Sequence, residues 1–113
     1  MSRRLSPHEH LLGDVKEKEL RQNIEVAAQW FGWAFQFWHS SIDSPAGFPD
    51  IVAVKVMPDG TARMLCLELK RETEKPTAAQ TAWLALLGLV PGITARVIRP
   101  ADMDWLYEEM QRP

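Results

Sequence analysis

Residues 50–71 read DIVAVKVMPDGTARMLCLELKR. Two apolar runs flank Pro-Asp-Gly, a triplet that turns a chain back on itself, so this stretch predicts a β-hairpin with strands over 50–57 and 61–71. A hairpin cannot bury its apolar faces alone, so the rest of the chain must supply cover. The same stretch carries an anomaly. Asp50 stands at the mouth of the first strand, and Glu68 and Lys70 are threaded into the second. On a strand, side chains alternate, so Leu65, Leu67 and Leu69 share one face while Cys66, Glu68 and Lys70 share the other. Glu68 and Lys70 are thus neighbours about 7 Å apart along one side. With the turn centred on 58–60, paired positions sum to about 118, which sets Asp50 opposite Glu68. Two facing carboxylates repel. A divalent cation removes that conflict, because Mg²⁺ takes one or two carboxylates and completes its shell with water and phosphate oxygens. The competing reading is an edge strand whose Glu68 and Lys70 form an ordinary solvated pair.

Around the hairpin the pattern is α/β. Residues 1–13 contain Pro7 and Gly13 and read as an irregular arm. Leu20, Ile24, Ala27, Ala28 and Phe31 recur at helical spacing from Asp14 to Phe31, with Asp14 as N-cap and Glu17 completing a capping box. Residues 33–39 are aromatic-rich and read as a strand, and 40–49 as a loop. After the hairpin, Thr77 caps a helix to about Leu89, Pro91-Gly92 breaks the chain, 94–100 forms a further strand, and a helix closes from about 101. The order is α-β-β-β-α-β-α. The segment from 61 to 100 is a β-α-β unit, which implies a parallel crossover. The expectation is a single domain with a mixed central sheet of about four strands flanked by helices.

Composition bounds the function. The chain has 113 residues, 46% apolar and 25% charged, with a formal net charge of −2. No global basic field advertises a nucleic-acid partner, although a bound metal ion could supply positive charge locally. The single cysteine, Cys66, can form no internal disulfide and reads as a small buried hydrophobe on its strand. No run approaches the ~18 apolar residues of a membrane span, and the amino terminus has no apolar stretch suited to a signal peptide. A cytoplasmic protein with no membrane partner is expected. His8 and His10 lie in the arm with no third ligand in sight.

"PD" at 49–50 followed by "ELK" at 68–70 resembles the signature of the PD-(D/E)xK nuclease superfamily. The pieces "EKEL", "GW", "SPAGFPDIVAV", "LELK", "KPTAAQTAWLALL" and "VIRPADMDWL" are similar, in order and spacing, to a stand-alone VRR-NUC domain of the phage and bacterial type. The similarity covers roughly residues 16–106. "PD…ExK" alone is weak, and the ordered set is what gives the resemblance its specificity.

The resemblance implies a restriction-endonuclease-like core and a metal-dependent DNA endonuclease using Mg²⁺ or Mn²⁺. Asp50 and Glu68 would bind the metal, with the main-chain carbonyl of Leu69 as a further ligand. Lys70 would help activate the attacking water or steady the transition state, and Gln80 would lie near the site. The family also uses an acid from the first helix. Glu17 matches it, with Glu19 as alternate, and Glu17 shares the face of Leu20 and Ile24 whereas Glu19 is turned about 200° away.

Ser44 and Gly47 match the small-residue approach to the "PD" element, and hydroxyl and N–H groups there suit phosphate contact. Lys75 is a candidate DNA contact, as are Lys55, Arg63, Arg71, Arg96 and Arg99, each of which could equally be a solvated charge. Trp83 and Trp105 suit packing or a dimer interface. Branched DNA such as a four-way junction or flap, cut by a homodimer, is the implied substrate and assembly. The alternative is a catalytically inactive module on a nuclease fold that binds nucleic acid or protein.

Overall fold

The computed structural model describes residues 7–38 and 46–113, and for residues 7–16 it describes the backbone alone. The hairpin forms as its turn chemistry dictates. Strand β2 (Ile51–Val56) pairs antiparallel with β3 (Ala62–Leu69), and Ile51 faces Leu67, so paired positions sum to 118. Gly60 takes φ +88°, a conformation that favours glycine. Asp59 Oδ1 accepts from the Thr61 N–H at 2.9 Å and from its hydroxyl at 2.6 Å, locking the turn.

Strand β1 (Ala34–Phe37) lies antiparallel on the outer side of β2. Strand β4 (Ile93–Ile98) runs parallel to β3, reached through helix α2 (Ala78–Gly88). The sheet order is β1-β2-β3-β4, which makes β3 an interior strand. Helix α1 (Pro7–Trp30) precedes the sheet, and a short 3-10 turn (Pro100–Asp102) leads into α3 (Met103–Gln111). The expected α-β-β-β-α-β-α order and the four-stranded mixed α/β sheet are both present.

One face of the sheet carries the core. Leu20, Ile24, Ala27 and Ala28 of α1 and Leu106 and Met110 of α3 pack on Ile51, Ala53, Leu65, Leu67, Leu69 and Ile98. Trp33 closes one end, its buried indole N–H donating to the Met110 carbonyl at 3.0 Å. Arg63 secures the end of α3. It donates to the Arg112 carbonyl at 2.9 Å and pairs with Glu109, placing a cation where helix carbonyls are left over.

The start of α1 corrects the expected irregular arm. The helix begins at Pro7, so residues 7–13 are helical and Asp14 lies about two turns inside. Proline is favoured in the first turn, where its missing N–H costs nothing, and one interior glycine costs only about 1 kcal/mol relative to alanine. Asp14 is therefore not an N-cap, and the capping-box role for Glu17 falls with it.

Candidate functional site

Continuing the β2–β3 register one residue past Ile51 and Leu67 sets Asp50 across from Glu68 at the end of the hairpin. Asp50 directly precedes β2. Its carbonyl accepts from the Trp38 N–H at 3.1 Å, which ties the residue to the β1 side. Its side chain turns the other way, Oδ2 accepting from the Leu69 N–H at 2.9 Å. Asp50 is thus bonded on both flanks, and the Leu69 main chain lies beside the acidic pair.

Glu68 is 3% exposed and Lys70 8%. An edge strand with a solvated pair is excluded, because β3 is interior and covered on both faces. Glu68 Oε1 accepts from Gln80 Nε2 at 2.9 Å and lies 3.9 Å from Lys70 Nζ. Oε2 is buried and has no hydrogen-bond partner among the described residues. Burial, then the charge of Asp50 and a proton shared with it, push the Glu68 carboxyl up to about 8, against the pull of Lys70. The pair therefore retains a proton at neutral pH unless another positive charge takes its place.

Lys70 is held between two acids. Its Nζ lies 3.9 Å from Glu68 Oε1 and also 3.9 Å from Glu74 Oε2. Glu74 is fixed in turn, with its carbonyl accepting from Arg99 at 2.8 Å and its side chain beside Arg71. Glu74 had no candidate role in the sequence, where it reads as one acid of a polar connector. Its i,i+4 spacing from Lys70 was the available signal, but that spacing carries weight only on a helix.

Gln80 sits in the first turn of α2. Thr77 is the N-cap, its hydroxyl accepting from the Gln80 N–H at 3.1 Å, while Gln80 Oε1 accepts from the Thr77 N–H at 2.8 Å. The helix start expected at Thr77 is present, with a capping box that sequence reasoning did not identify.

Glu17 is half-buried, and its carboxyl is raised by burial first and then by the charge of Glu74, with Asp50 adding and Arg71 and Lys70 opposing. It is therefore within electrostatic reach of the acidic cluster. Glu19 is exposed and borders a separate groove with Glu72 and Pro100. Glu17 feels the charge of Asp50, whereas Glu19 faces that separate groove.

The candidate DNA contacts divide. Ser44 lies outside the described residues, as do the side chains of His8 and His10. Gly47, at φ +81°, presses against α2, where an added Cβ would meet the Ala79 carbonyl carbon at 2.5 Å. Lys75 is exposed. Arg63 is engaged with α3, Arg96 with Asp102 at 3.0 Å and the Trp105 ring, and Arg99 with Glu74. Trp83 packs edge-on against Phe48, which in turn meets Trp38.

No family model matches the chain, and no curated protein or solved structure matches it. Among the described residues no group of three or more His, Cys, Asp or Glu side chains is gathered to hold an ion. A cage built wholly from protein is not what Mg²⁺ requires, because it keeps several waters and takes one or two carboxylates. Asp50 and the orphaned Glu68 Oε2 fit that requirement, since the ion would satisfy the buried oxygen and displace the retained proton. Among the described residues no helix is long and apolar enough to cross a membrane.

Proposed function

We propose that the protein is a divalent-metal-dependent nuclease that hydrolyses phosphodiester bonds in DNA, of the VRR-NUC type within the PD-(D/E)xK superfamily. One observation carries the reading: two opposed carboxylates, one with a buried oxygen that has no hydrogen-bond partner among the described residues, stand beside a buried lysine at the end of an interior strand. A buried carboxyl oxygen without a hydrogen-bond partner, set opposite a second acid, costs stability, and a bound cation would offset that cost.

Asp50 and Glu68 would hold Mg²⁺ or Mn²⁺, with the Leu69 carbonyl and Glu17 as further candidate ligands. When bound, the ion lowers the pKa of a coordinated water and neutralises charge on the phosphate. Lys70 places a cation where negative charge gathers as the water oxygen bonds to phosphorus and the leaving P–O bond breaks. Gln80 holds one oxygen of Glu68 and so directs the other. Branched DNA is the proposed substrate. A homodimer would bring two sites to two strands, and Ser44, Gly47 and Lys75 would flank the backbone.

The test is cleavage of labelled four-way junction, flap and linear duplex DNA with Mg²⁺, Mn²⁺ or EDTA, by wild type and Asp50→Ala. The expected result is metal-dependent cutting that Asp50→Ala loses. A folded wild type that cuts none of these substrates with either ion would leave an inactive binding module in place of an enzyme.

A further inference from the structure

A capping box normally serves helix stability alone. In α2 its glutamine has a second bond. Gln80 Oε1 accepts from the Thr77 N–H at 2.8 Å, and its Nε2 donates to Glu68 Oε1 at 2.9 Å. A primary amide has one acceptor end and one donor end. With the acceptor end engaged at the cap, only the donor end faces the carboxylate. Rotating the amide by half a turn would set a carbonyl against a carboxylate and lose the Thr77 bond as well.

The same helical turn meets the segment leading to the other acid. Gly47 lies so close that a Cβ on it would stand 2.7 Å from the Gln80 main-chain nitrogen as well as against Ala79. The start of α2 is therefore wedged between the approach to Asp50 and the strand that carries Glu68.

We propose that Thr77 is a positioning residue for the acidic pair: its main-chain N–H orients the Gln80 amide, which holds Glu68 Oε1 and leaves the buried Oε2 as the oxygen a ligand would take. Thr77 touches no substrate and acts only through Gln80. The consequence for metal binding rests on the nuclease reading, whereas the consequence for the Gln80 amide rests on the hydrogen bonds alone.

Thr77 has φ −71°, which proline adopts without strain. Thr77→Pro therefore deletes the N–H, and the capping hydroxyl with it, while keeping the backbone path, and Thr77→Ser keeps both capping groups. The experiment compares wild type, Thr77→Ser, Thr77→Pro and Gln80→Met by thermal unfolding, by Mn²⁺ titration, and by NMR of the Gln80 side-chain amide where it is present. Thr77→Pro is expected to bind Mn²⁺ about tenfold more weakly, the scale on which groups behind a metal ligand act, and to shift the Gln80 amide resonances to those of a free amide. Thr77→Ser should match wild type, and Gln80→Met should lose Mn²⁺ affinity to the same extent as Thr77→Pro. A folded Thr77→Pro with a lower melting temperature but unchanged Mn²⁺ affinity and Gln80 amide shifts would overturn the proposal. Should Thr77→Pro not fold, wild-type Mn²⁺ affinity in Gln80→Met would overturn it instead. Should wild type bind no Mn²⁺, the metal reading fails by itself. The amide resonances then decide: shifted in Thr77→Pro they support the positioning role, and unshifted they refute it.

Discussion

Leu65, Leu67 and Leu69 lie on one face of β3 beneath α1 and α3, while Cys66, Glu68 and Lys70, each one residue along, are buried on the other. Equal burial has opposite consequences on the two sides. The leucine face gains free energy as its surface leaves water. The charged face loses hydration and recovers only part of it, through one hydrogen bond from Gln80 and two ion pairs at 3.9 Å. The cover differs as well, since none of the residues of α2 is buried. A strand so well placed for a second layer of core instead carries a carboxyl with one oxygen unpartnered among the described residues, and the placement of Asp50 opposite it compounds the cost. The first face accounts for the fold, and the second for what the fold presents.

The comparison breaks most sharply through the acids. Glu68→Gln should abolish DNA cleavage by roughly a thousandfold or more, the scale of losing a group that stabilises transition-state charge, while unfolding at pH 8 shows equal or greater stability. On the opposite face Leu106→Ala should cost about 3 kcal/mol in denaturant unfolding and leave Mn²⁺ affinity per folded molecule unchanged. An effect of Leu106→Ala on Mn²⁺ affinity would mean that the two faces are not independent.

The pH dependence sharpens the contrast. Glu68 is raised from about 4.5 to about 8 in the fold. The unfolded chain thus releases its proton first, so stability is fully present below about pH 4.5 and declines until about pH 8. The loss should be on the order of 2 kcal/mol, taking about 1.4 kcal/mol per unit and discounting for the proton shared with Asp50. Urea unfolding from pH 5 to 8 measures it, and Glu68→Gln should flatten the slope. The smallest effect belongs to Arg63, whose partners are on α3. Arg63→Met should cost about 1 kcal/mol and leave DNA affinity unchanged in a binding titration at fixed salt.

Much of the fold was legible because its signals are local. The Pro-Asp-Gly turn fixed the pairing sum of 118, and with it the opposition of Asp50 and Glu68. Thr77 and the Pro91-Gly92 break bounded α2. The misreadings came where one local signal stood for a longer element. Pro7 and Gly13 suggested an arm, yet a 24-residue helix accommodates both. The candidate site was legible in its strand residues, since alternation alone assigns Glu68 and Lys70 to one face. Glu74 and the Thr77–Gln80–Glu68 chain were not, because a connector and a helix start meet the strand only in three dimensions. The same holds for Arg63, Arg96 and Arg99, which reach the Arg112 carbonyl, the Asp102 carboxylate and the Glu74 carbonyl from other stretches of the sequence.

Mn²⁺ titration of the purified protein, followed by electron paramagnetic resonance, asks whether the opposed carboxylates form a cation platform. The account predicts saturable Mn²⁺ binding by wild type that is lost in both Asp50→Asn and Glu68→Gln, each of which remains folded. A folded wild type that binds no Mn²⁺ at millimolar concentration, or variants that bind it as well as wild type does, would contradict it.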